Sequence, residues 1–105
     1  LDLDNNKLYF SKTNVWQDSG DPTSGATGTG AISISAAADA PLNAYLIGCG
    51  ADASANDYTW SLNFGNPAYT LTSEVADANG YGKFEYTPPS GYLAICTKNL
   101  GSDGG

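Results

Sequence analysis

Residues 58–64 read Tyr-Thr-Trp-Ser-Leu-Asn-Phe, with a large apolar side chain at every even position and a small polar one at every odd position. A period of two becomes one apolar and one polar face only on a pleated strand, so Tyr58, Trp60, Leu62 and Phe64 are expected to face inward together. No stretch of the chain has a convincing helical period. The remaining composition agrees: two Trp, seven Tyr and three Phe stand beside 13 Gly and five Pro, which suits short half-buried strands joined by tight turns. The expected class is therefore all-β with no substantial helix. A chain of 105 residues with 41% hydrophobic content supplies one core, and a single module over residues 1–100 with a flexible tail at 101–105 is expected.

The other elements follow from punctuation. Leu1 to Phe10 alternate Leu with Asp, pass through Asn5-Asn6, which tolerate positive φ, and resume at Leu8-Tyr9-Phe10, a hairpin pattern. Gln17 to Gly30 consist almost wholly of Gly, Ser, Thr, Asp and Pro, and read as a long mobile loop too polar to pack. Ala31 to Ser35 alternate as a strand with Ile32 and Ile34 on one face. Leu42 to Gly50 form a near-continuous apolar run expected to be a central core strand. Ala51 to Asp57 and Ser73 to Gly82 read as further loops, and Tyr92 to Leu100 as the last strand. Cys49 and Cys96 both lie in apolar runs, where a free thiol packs as a small hydrophobe.

Charge and residue types exclude several activities. Eleven acids face four lysines and no arginine, giving net charge −7, which argues against nucleic acid as a partner. No apolar run approaches the roughly 20 residues that a spanning helix needs, so membrane insertion is not expected. With no histidine, Ser-His and Cys-His catalysis is absent, and two thiols alone cannot complete a zinc site. Glu74 and Glu85 read as solvated carboxylates rather than a glycosidase pair. Gly48-Cys49-Gly50-Ala51-Asp52-Ala53 fits a dinucleotide fingerprint in letters, but no helix pattern follows it. Asp2, Asp4 and Asn6 imitate the start of a calcium loop without its twelfth-position glutamate. No cofactor is expected; the nine aspartates leave structural calcium as the single exception considered.

Two segments carry a resemblance. The run Asn63-Phe64-Gly65-Asn66-Pro67, followed by Phe84-Glu85-Tyr86-Thr87-Pro88-Pro89-Ser90-Gly91-Tyr92-Leu93-Ala94-Ile95-Cys96-Thr97-Lys98-Asn99-Leu100, resembles the closing signature of the SPRY (B30.2-like) domain found in structural proteins of tailed phages and marine viruses. Leu1 to Asn14 are similar to that family's aspartate-rich hairpin. The chain departs from the pattern at Asn14-Val15, where the family has Asn-Gly, and in a longer stretch between Pro67 and Phe84.

The resemblance implies an antiparallel β-sandwich of concanavalin-like type, acting as a non-enzymatic binding module on a virion or fibre surface. It implies other virion proteins, a host receptor or a glycan as partners. The family's domain begins upstream of this hairpin, so strands from elsewhere, a neighbouring copy or a larger assembly are expected to close the sheet. Binding usually sits on loops held by a rigid framework, which nominates Trp16, Asp21, Asp52, Asp57, Tyr69 and Tyr81. The alternative is a lectin-like domain of a secreted or surface protein, stacking sugars on Trp16, Tyr69 or Tyr81.

Overall fold

The computed structural model describes residues 1–36, 44–50 and 59–103. The chain forms two compact units, Leu1–Gly48 and Cys49–Gly105. Among the described residues the regular structure consists of short antiparallel pairs and one helix of seven residues.

In the first unit the opening hairpin forms as its asparagines suggest. Asp2 and Lys7 exchange both backbone hydrogen bonds, at 2.8 and 2.9 Å. The Asp2 carboxylate accepts from the Asn5 backbone and side-chain amides at 3.0 and 2.9 Å, and Asn6 takes φ 53° to turn the chain. Strand β1 (Lys7–Leu8) then pairs with β4 (Ile32–Ser33), in register Lys7 with Ser33 and Leu8 with Ile32. A second hairpin joins β2 (Ser11–Lys12) to β3 (Val15–Trp16) through Thr13 and Asn14, with φ of 51° and 62°. Two consecutive residues at positive φ make the primed turn whose twist matches a tight hairpin. Gln17 N–H donates to the Phe10 carbonyl at 2.9 Å and extends the pair.

Tyr9, the buried aromatic of this unit, meets Trp16 edge to face with ring centroids 6.4 Å apart. Within Gln17 to Gly30, Gly20 lies beside Tyr9 and Trp16, and Ser24 Oγ stands 3.4 Å from the Tyr9 hydroxyl, which corrects the expectation of a loop unable to pack. The segment contains turns at Gln17–Ser19 and Gly25–Thr27, and Pro22 within it is buried. Its polar residues bond to one another while most stay exposed to solvent, so polarity did not prevent local order.

The second unit is organised by glycine and asparagine more than by aromatic rings. Val75 and Phe84 exchange backbone hydrogen bonds at 2.9 Å each, and Lys83 N–H donates to the Gly65 carbonyl at 2.9 Å. The Asn63 side chain donates to the Lys83 carbonyl and accepts from Gly65 N–H, both at 2.8 Å, joining the two segments. Ala94 is only 3% exposed. It lies where Gly65 and Gly82 turn with φ of 118° and 78°, and a Cβ on Gly82 would stand 2.8 Å from that of Ala94. Only glycine allows this approach at this φ.

Several expectations are overturned here. Trp60 is 58% exposed, Leu62 and Phe64 are exposed as well, and no strand is formed over Thr59–Phe64. Periodicity defines a shared face, whereas burial needs a second layer, and the described residues supply none at this face. Leu46 is 86% exposed in the run expected to be a core strand, and Ile32 is exposed although paired. Cys49 is exposed and Cys96 half-buried, both as free thiols, so the packing expected of Cys49 does not occur. The expected strand Tyr92–Leu100 gives way to helix α1 (Thr97–Asp103), which runs into the segment read as a tail. What pulls residues 97–100 into a helical turn is tertiary: the Asn99 side chain is drawn back onto Ala94 and Asp77.

Candidate binding site

The loop between Val75 and Phe84 begins as a local turn. Asp77-Ala78-Asn79-Gly80 places an Asx residue two positions before an asparagine and three before a glycine, a sequence suited to side-chain capping of the backbone. The Asp77 Oδ1 accepts from Asn79 N–H at 3.0 Å and from Tyr81 N–H at 2.9 Å. Gly80 N–H donates to the Asp77 carbonyl at 3.0 Å, and Asp77 N–H to the Tyr81 carbonyl at 2.9 Å.

The other carboxylate oxygen reaches beyond the loop. Asp77 Oδ2 accepts from Ala94 N–H and from the Asn99 side-chain amide, both at 2.8 Å. The same Asn99 amide group donates to the Ala94 carbonyl at 2.8 Å, while its oxygen accepts from the Asn79 side chain at 2.9 Å. Asp77 is only 7% exposed, and Asn99 is buried beside it. Burial pushes the Asp77 carboxyl up. Hydrogen bonds from the Ala94 and Tyr81 backbone, the Asn99 side chain and the Asn79 backbone outweigh that effect, and hold it below its ordinary value of 3.8. A buried carboxylate with four N–H donors is a satisfied structural ion, not a proton donor.

In front of this junction lies an open cleft of about 460 Å³, lined by Gly65, Glu74, Ala76, Gly80, Tyr81, Gly82 and Lys83. The glycines keep its walls low, and Tyr81 supplies an aromatic surface. Lys98 Nζ sits 5.1 Å from the centroid of the Tyr81 ring, within cation–π range. Lys83 Nζ donates to Glu74 Oε2 at 3.1 Å. Both side chains are more than half exposed, so this pair adds little to stability and remains available to a ligand. Glu85 is engaged differently: its carboxylate accepts from Thr72 and Ser73 N–H at 2.7 and 3.2 Å. The arrangement offers an aromatic ring, one acid and one amine at a shallow surface, which is equipment for recognition.

The six nominated residues are dispersed. Tyr81 lines the cleft; Tyr69 is exposed and does not line it. Trp16 is half-buried against Tyr9. Asp21 closes a turn, accepting from the Thr23 hydroxyl at 2.6 Å and Thr23 N–H at 2.8 Å, and these bonds hold its carboxyl below 3.8. Asp52 and Asp57, with the whole of the Ala51–Asp57 loop, lie outside the described residues. Asp77, Asn79, Lys83 and Asn99 are not among the six nominees, yet they build the site. The Asx-turn pattern at Asp77 was a visible signal, whereas the pairing with Asn99 was not.

Comparison with protein-family models, with curated proteins and with solved structures finds no match to this chain.

Proposed function

We propose that this chain is a non-enzymatic recognition module, part of a SPRY-like β-sandwich on the surface of a virus particle or fibre, that contacts a protein or receptor through the Ser73–Gly82 loop. The observation that carries this reading is the Tyr81 cleft, with an adaptable Glu74–Lys83 pair at its surface and the Asp77 junction as a fixed support behind it. A rigid support under a half-buried aromatic residue limits the side-chain entropy lost on binding. The carboxylates of the site favour recognition over catalysis: Asp77 and Glu85 are held by backbone N–H groups, and Glu74 is paired with lysine. The sandwich, the virion location and assembly with further copies or virion proteins come from the resemblance of Asn63–Pro67 and Phe84–Leu100.

The test is binding of the purified chain to host cells and to the other proteins of the particle. Binding should be sensitive to protease treatment of the target, and Tyr81→Ala should weaken it about tenfold or more, as expected for a central aromatic contact. Trp16→Ala should leave affinity unchanged. A flat aromatic ring in a polar cleft also suits a pyranose, which favours the lectin-like reading as second choice. Binding to a glycan array, lost in Tyr81→Ala and resistant to protease treatment of the target, would overturn the first reading in favour of the second.

A further inference from the structure

Nine asparagines are spread along the chain, and Asn79 alone is followed by glycine. The successors of the others are Asn, Lys, Val, Ala, Asp, Phe, Pro and Leu, each with a side chain that crowds the following amide or, in proline, with no N–H at all. This matters for one covalent reaction. The backbone nitrogen of the next residue, once deprotonated by base, can attack the asparagine Cγ. A C–N bond forms, the side-chain nitrogen leaves as ammonia, and the resulting succinimide is opened by water at either carbonyl. The products are aspartate and isoaspartate, and the balance consumes one water and releases one ammonia.

We propose that Asn79 is a deamidation site whose conversion dismantles the Asp77 junction, so that the loop carrying Tyr81 ages irreversibly. Asn79 and Gly80 are both exposed, and no atom lies within 4 Å of where a Cβ on Gly80 would project, so the ring has room to form and solvent base has access. Native contacts oppose the reaction. Gly80 N–H is occupied by the Asp77 carbonyl at 3.0 Å, and the Asn79 amide donates to Asn99 Oδ1 at 2.9 Å. Conversion therefore follows local opening of this turn, and its rate reports how firmly Asp77 holds it.

The product cannot restore the junction. A carboxylate at position 79 has no N–H to offer Asn99 Oδ1, and it adds a like charge beside Asp77. Isoaspartate also inserts a carbon into the main chain between residues 79 and 80. That displaces the Gly80 and Tyr81 N–H groups, which now bond to the Asp77 carbonyl and Oδ1.

The experiment is incubation of the folded chain at neutral and mildly alkaline pH, with peptide mapping by mass spectrometry to locate the mass gain of amide-to-acid conversion. Conversion is expected at Asn79 ahead of every other asparagine, faster at higher pH. In Asp77→Asn, which places an amide NH2 against donors, it should run about tenfold faster. Asn99→Ala, which removes the acceptor of the Asn79 amide, should shift the rate in the same direction and serves if the first variant does not fold. Amide exchange on Asn79→Asp supplies an independent reading: protection of the Ala94 and Tyr81 N–H groups should fall about tenfold. Conversion at Asn79 no faster than elsewhere, an unchanged rate in both variants, or unchanged protection in Asn79→Asp would each overturn the proposal. None of these measurements involves a ligand, so their outcome is separate from that of the binding test.

Discussion

Two aspartates, Asp21 and Asp77, start turns of the same kind and end in different roles. Each accepts a hydrogen bond from the backbone N–H two residues ahead, at 2.8 Å for Thr23 and 3.0 Å for Asn79. Asp21 stops there: its carboxylate is exposed, and its contacts stay within the Gln17–Gly30 segment, where Ser24 Oγ donates to the Asp21 carbonyl at 2.7 Å and accepts from Thr29 N–H at 2.9 Å. Asp77 instead reaches Ala94 and Asn99, which are 17 and 22 residues away in sequence. One aspartate shapes a loop, whereas the other ties a loop, a strand-like segment and a helix into one unit. The lesson is that a capping motif specifies a turn, and its remaining lone pairs decide whether the turn becomes structural.

The largest effect expected from this contrast is on melting. Asp77→Ala leaves the Ala94, Tyr81 and Asn99 donors without their acceptor in a buried place, and should lower the melting temperature by roughly 10 °C or more. Asp21→Ala exposes its donors to water, and should cost no more than about 3 °C. Calorimetry of the two variants checks the ranking, and equal shifts would erase the distinction.

Acid sharpens the same comparison. Hydrogen bonds hold the carboxyls of Asp2, Asp21 and Asp77 below their ordinary value of 3.8 in the folded chain. A depressed folded-state pKa contributes stability above the unfolded value and loses it as pH falls through the folded value. Stability should therefore be level above about pH 5 and fall steadily below 3.8. In Asp77→Asn the fall should be shallower, and an unchanged acid limb would show that Asp77 does not dominate it.

The smallest effect has the opposite sign. Thr13 is β-branched and sits at φ 51° in the β2–β3 turn, a region its Cβ disfavours. Thr13→Asn should stabilise the first hairpin by about 0.5 kcal/mol, without changing the second unit. Urea titration resolves the gain, and a loss of stability would show that the Thr13 side chain has a role beyond the turn.

Local features were legible because local forces form them. Asn5-Asn6 announced a turn, and Asn6 does take positive φ. The abundance of glycine and the lack of a helical period pointed to an all-β chain without substantial helix, and among the described residues the regular structure is small antiparallel pairs and one short helix. The Asp77-Ala-Asn-Gly string is as legible a turn as Asn5-Asn6 and lies in the expected Ser73–Gly82 loop, where Tyr81 alone among the described nominees lines the cleft.

By itself, the sequence determined turn positions, the class of short β pairing, the net negative charge and the absence of histidine chemistry, since each depends on residue type or on neighbours a few positions apart. Only the tertiary structure decided burial. Trp60 is exposed and Ala94 is covered, because a face is buried by whatever packs on it and not by its own periodicity. It also decided the work of Asn99: a residue in an expected strand became part of a helix once its amide found Ala94 and Asp77, and the Asp77 contact spans 22 residues, too distant in sequence for any local pattern to express.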